Sequence, residues 1–108
     1  MKIKDLKLYD KYKKINNSDT GYIFIGVDDE NDYWFLFKDK DYDSSFSLLK
    51  RLGLNPDKIV KDLNLETCVY NSGDKYIKGY CFTFFSKNRV EIFLKPILKD
   101  KLNNILNR

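Results

Sequence analysis

Two clusters of carboxylates are the side chains in this sequence with the most obvious capacity for chemistry. Asp28, Asp29, Glu30 and Asp32 fall together, and Asp39, Asp41 and Asp43 alternate with Lys40 and Tyr42. Alternating acids can open a calcium-binding loop, and paired carboxylates can carry protons. The calcium pattern breaks off after Asp43. Ser44 stands where the sharp-turn glycine belongs, Lys50 replaces the bidentate glutamate, and the residues before Asp39 read as a strand. Both runs therefore read as solvated turns or as acidic contact loops.

The chain contains no histidine, which removes the Ser-His-Asp and Cys-His arrangements and every imidazole base. Its five glycines are scattered and form no phosphate-cradling loop. No G-x-S-x-G elbow is present. Cys68 and Cys81 are too far apart for a redox motif and too few for a zinc site, so both read as reduced structural residues. The expectation is a protein without enzymatic activity, metal or other cofactor.

Charge is unevenly distributed. Met1 to Ile15 carries six Lys against two Asp, and Asn16 to Leu49 carries eight acids against two Lys. From Lys50 onward, twelve Lys and Arg face six acids. This order can fold into an acidic edge and a basic face with different partners. The acidic edge comprises Asp28, Asp29, Glu30, Asp32, Asp39, Asp41 and Asp43. An alternative nucleic-acid surface comprises Lys50, Arg51, Lys58, Lys61, Lys87 and Arg89. The aromatic–basic interleaving of Lys75 to Phe82, with Lys87 to Arg89, fits a stacking platform for single-stranded nucleic acid, but the simpler reading is an antiparallel strand with its rings turned inward and its Lys residues outward.

The segment Leu48 to Asn64 resembles the helix-turn-helix of bacterial repressors, with a basic first helix, Gly53 in the turn and an Asn55-Pro56-Asp57 start to the second. That resemblance implies DNA binding through the second helix. Two positions depart from the pattern. Leu49 occupies the close-approach site, and Asp62 falls where an apolar side chain is normally buried. A helical hairpin lying on one sheet face accounts for the same residues.

These residues must be positioned by a fold, and its signals are clear. At 108 residues the chain matches one domain and can remove roughly 65% of its unfolded surface from water. Strands are predicted over Leu6–Ile15, Tyr22–Val27 and Tyr33–Lys38, then two helices over Ser44–Leu52 and Asn55–Asn64. Further strands are predicted over Glu66–Tyr70, Lys75–Phe85 and Val90–Lys95, with Ser86 to Arg89 as a turn. An amphipathic helix is predicted from Ile97 to Leu106. The order β-β-β-α-α-β-β-β-α is an α+β fold, an antiparallel sheet of two β-meanders with a central helical hairpin. Gly21-Tyr22-Ile23-Phe24 and Gly79-Tyr80-Cys81-Phe82 echo one another, each followed by a polar loop and a further apolar strand.

No apolar run approaches a membrane span, and the charged start lacks a signal-peptide core, so a soluble cytoplasmic protein is expected. Lys, Asn, Ile, Asp, Tyr and Phe, which AT-rich codons favour, are abundant while Ala is absent and Pro scarce, the usage of an AT-rich genome such as that of a low-GC bacterium, a phage or a mobile element. Eight Tyr, eight Phe and Trp34 exceed what one small core hides, so some rings should face solvent, as at protein interfaces. In size and character the chain is similar to small phage inhibitors of host machinery, the anti-CRISPR proteins among them. The resulting expectation is a protein target, engaged by the acidic edge. The alternative is a nucleic-acid-binding regulator.

Overall fold

The computed structural model describes residues 1–16 and 19–97. A single antiparallel sheet organises them. Its strands are β1 (Lys11–Lys14), β2 (Tyr22–Val27), β3 (Asp32–Ser45), β4 (Thr67–Val69), β5 (Lys75–Ser86) and β6 (Leu94–Pro96), in the spatial order β4-β5-β3-β2-β1-β6. The fold is α+β, and the sheet carries helices on both faces.

On one face lie α1 (Phe46–Arg51) and α2 (Pro56–Leu63). Both starts follow from their sequence. Ser45 Oγ accepts from Leu48 N–H at 3.2 Å, and Asn55 Oδ1 accepts from Lys58 N–H at 3.1 Å ahead of Pro56. Such caps satisfy amides that a helix leaves unpaired at its first turn. Leu49 and Ile59 bury their side chains against Ile23, Ile25, Trp34, Leu36 and Ile77 of the sheet.

The opposite face is aromatic. Phe35 is fully buried there, with the rings of Tyr12, Tyr22, Phe24 and Phe85 at centroid distances of 6.3, 6.5, 5.4 and 5.5 Å. Each such pair contributes about 0.5–1.5 kcal/mol beyond its buried area. A third helix, α3 (Lys87–Phe93), closes this side through Val90, together with Met1, Ile3 and Leu6.

Three expectations are corrected by this architecture. Val90 to Lys95 is not a strand returning along β5. Ser86 caps a helix by accepting from Arg89 N–H at 3.3 Å, and α3 occupies that stretch. Buried Val90 and Leu94 are four residues apart with exposed Ile92 between them, a helical period that a short apolar run conceals. β6 is consequently carried to the far side of the sheet, where it pairs with β1, so the second meander does not form. The echoing strands β2 and β5 instead flank β3 on its two sides. The first strand is also shorter than predicted, because Leu8 and Tyr9 form a turn closed by Asp10 N–H donating to the Lys7 carbonyl at 3.1 Å, with Tyr9 at φ 70°. The helix predicted beyond Ile97 lies outside the described residues.

β3 is longer than its sequence suggests. It continues through the acidic run to Ser45, so Asp39 to Asp43 belong to a strand and not to a loop. Lys38 pairs with Tyr80 and Asp43 with Lys78, which leaves Asp39 to Tyr42 opposite Gly79 alone. The surplus residues bulge outward from the sheet.

Candidate functional site

Asp28 begins the turn between β2 and β3, and its carboxylate organises that turn. Oδ1 accepts from the amides of Glu30 and Asp32 at 2.9 and 3.0 Å. Oδ2 accepts from the indole N–H of Trp34 at 2.8 Å. The indole bond, followed by the amide bonds, holds the Asp28 carboxyl below its ordinary range. Asp28 is thus committed to structure, and it fixes the orientation of the single tryptophan.

That commitment leaves Asp29, Glu30 and Asp32 as the turn's available carboxylates. Among the described residues the one ion pair is Lys58–Asp62, so none of these three is charge-paired. The four acids form one side of a concavity of about 350 Å³. Trp34 and Phe84 line it from the sheet, and Arg51 and Leu52 from the end of α1. Phe84 remains 47% exposed although its ring lies 4.9 Å from that of Trp34. Carboxylates beside an open aromatic surface suit a cationic group with a flat or apolar body, above all a guanidinium.

The second acidic run is arranged differently. Asp43 turns inward: Oδ1 accepts from Gly79 N–H at 2.9 Å, and Oδ2 from the Tyr70 hydroxyl at 2.5 Å and weakly from the Cys68 thiol. The tyrosine bond, then the glycine amide, lowers the Asp43 carboxyl. Reciprocally, Asp43 pushes the Tyr70 hydroxyl up to about 12. Beside them Ser44, buried in the sheet, donates to the Tyr80 carbonyl at 2.6 Å. These bonds pin the bulge. Asp39 accepts from the amide of Asp41 at 3.1 Å, while Asp41 and Tyr42 face solvent.

The predicted acidic edge is therefore two separate sites. β3 is an interior strand, and the seven residue steps along it from Asp32 to Asp39 place the clusters about 23 Å apart. Three of the seven predicted contact residues accept hydrogen bonds within the fold: Asp28, Asp43 and, from the amide of Asp41, Asp39. The sequence offered a signal for Asp28, since an Asp before a turn commonly caps it. It offered none for the partners of Asp43, which come from β4, β5 and the turn between them. Phe84 was missed as a site residue, because an aromatic in an apolar strand reads as core.

The six cationic candidates are likewise divided. Lys50 and Arg51 end α1, and Lys58 and Lys61 lie on α2, all on one side of the sheet; Lys87 and Arg89 lie on α3, on the other. Lys58 bonds Asp62 at 2.6 Å, and Asp62 also accepts from the Tyr9 hydroxyl at 2.9 Å. Leu49 is buried against the sheet. Both departures from the helix-turn-helix pattern thus serve the packing of a hairpin on the sheet. Among the described residues no group of acids and cysteines could hold a metal ion, and no helix is long and apolar enough to cross a membrane. Compared with known proteins, the chain matches no family model, no curated protein and no solved structure.

Proposed function

We propose that this chain is a non-catalytic binding protein that docks its acidic turn onto a basic protein surface and blocks that surface. The observation that carries this reading is the concavity at the β2–β3 turn, where unpaired Asp29, Glu30 and Asp32 stand beside Trp34 and half-exposed Phe84. An arginine of the partner would set its guanidinium against Phe84 and receive the carboxylates along its edge. Basic surfaces of that kind are built to hold nucleic-acid phosphates. An acidic knob seated there excludes the substrate by charge and by volume, and no chemistry is needed. The AT-rich residue usage fits a phage or mobile-element inhibitor of a host nucleic-acid-handling protein.

Trp34 is the single tryptophan and lines the site, so its emission reports occupancy directly. Titration with a short arginine-rich peptide should produce a saturable change in that emission, larger than with a lysine peptide of equal charge. Asp29→Lys with Glu30→Lys should abolish the response, and Phe84→Ala should weaken it about tenfold. An emission that never saturates, or that is indifferent to these substitutions, refutes the site.

A further inference from the structure

On the opposite face of the sheet, the end of β1 and the helix α3 enclose a second concavity. Lys14, Ile15 and Asn16 line one side, and Phe85, Arg89 and Phe93 the other. Its volume is about 200 Å³, below the usual size of a drug-binding pocket and suited to a single planar group. The Arg89 guanidinium lies 5.3 Å from the Phe85 ring centre and 5.8 Å from that of Phe93, which preorganises it between the two rings. Lys14 Nζ lies 5.9 Å from the Tyr22 ring centre. Among the described residues neither cation has a carboxylate partner, the one ion pair there being Lys58–Asp62. The same concavity exposes apolar surface: Ile15 is 48% and Phe93 40% exposed.

Unpaired cations next to the open Phe93 ring and exposed Ile15 call for an anion that carries a flat apolar body. We propose that this concavity is a binding site for single-stranded nucleic acid, taking one nucleotide with its base against Phe93 and Arg89 and its phosphate at Lys14. Exposed Lys87 at the start of α3 extends the cationic track for a neighbouring phosphate. Stacking on an aromatic surface beside a basic groove binds any base sequence, because every base has a π-face. An acidic peptide would satisfy the cations and leave the Phe93 ring unused. This site lies across the sheet from the helical hairpin, and it does not rest on the docking reading.

The test is fluorescence anisotropy of labelled oligothymidylate and oligouridylate, titrated with the intact chain at low and physiological salt. The expected result is saturable binding that weakens with salt, with duplex of equal length bound more weakly. Lys14→Glu and Arg89→Glu should each raise the Kd about tenfold or more. Phe93→Ala should raise it about tenfold while leaving the salt dependence intact. Phe93→Leu, which keeps apolar bulk without a ring, should do the same if the alanine variant is unstable. Lys61→Glu carries an equal charge change on the other face and should be nearly silent. The proposal is overturned by absence of saturable binding at low salt, or by Lys61→Glu weakening binding as much as Arg89→Glu. Silent Phe93 variants, or displacement by polyglutamate ahead of oligonucleotide, overturn it equally.

Discussion

The β2–β3 turn and the β3 bulge are both rich in acids, yet they use them differently. At the turn, Asp28 bonds two amides and Trp34 within its own hairpin. At the bulge, Asp43 bonds Gly79 of β5 and the Tyr70 hydroxyl beyond β4. The turn is closed by local contacts and leaves three carboxylates beside an open aromatic surface. The bulge is closed by contacts across three strands and leaves exposed Asp41 and Tyr42 at its crest. One inward carboxylate in each region makes most of its hydrogen bonds, but only the turn builds a concave wall with the remaining acids.

Glycine substitutions should separate the two regions most strongly. Gly26 sits where β2 slips register against β3, at φ 137°, and an added Cβ would lie 2.9 Å from Leu54 Cδ2. Gly79 faces the β3 bulge at φ 75° with open space around it. Gly26→Ala should therefore cost about 2–3 kcal/mol, from backbone strain plus displacement of Leu54. Gly79→Ala should cost about 1–2 kcal/mol from strain alone. Urea unfolding of both variants tests this order, and equal losses would mean that Leu54 moves aside freely.

Effects of pH should be smaller and should divide by region at the alkaline end. Asp28, Asp43 and Asp62 all titrate below their ordinary value of 3.8, because native hydrogen bonds favour their charged forms. Their stabilisation is complete above that value and is lost as pH falls through the lower folded values. Asp28→Asn and Asp43→Asn should each flatten the acid limb of a plot of urea midpoint against pH. Tyr70 shifts the other way, from 10.0 to about 12. Its contribution is present below pH 10 and is lost as pH rises toward 12, so Tyr70→Phe should flatten the alkaline limb. An Asp28 variant should leave that limb unchanged.

The smallest stability effects belong to the outward acids. Asp29→Lys and Asp41→Lys should leave the urea midpoint unchanged at neutral pH, since neither side chain accepts a hydrogen bond or pairs a charge. Binding of the arginine peptide should nevertheless fall for Asp29→Lys and persist for Asp41→Lys. Equal loss in both would dissolve the distinction between the two regions.

Legibility in the sequence tracked how local the determining contacts are. The helical hairpin was readable because Ser45, Asn55 and Pro56 act within one turn of their own helices. β2 and β5 were readable from continuous apolar runs bounded by turn residues. The stretch from Lys87 to Lys95 was misread, since a run with apolar positions 90, 92, 93 and 94 satisfies helical and strand periods alike. Packing of Val90 against Tyr12 and Phe35 favours the helical period there. Acidic composition placed the candidate contacts near Asp28 and Asp39, but it could not distinguish inward from outward carboxylates.

Composition and short-range pattern alone established the α+β class, the capped helices, the strongly paired strands and the absence of imidazole chemistry. Each of these depends on residue type or on neighbours a few positions apart. The destination of β6, the β3 bulge, the inward turn of Asp43 and the exposure of Phe84 arose from pairing between distant segments. Such contacts are set by which strands become neighbours once the chain closes its loops, and nothing in the spacing of residues along one strand encodes that neighbour.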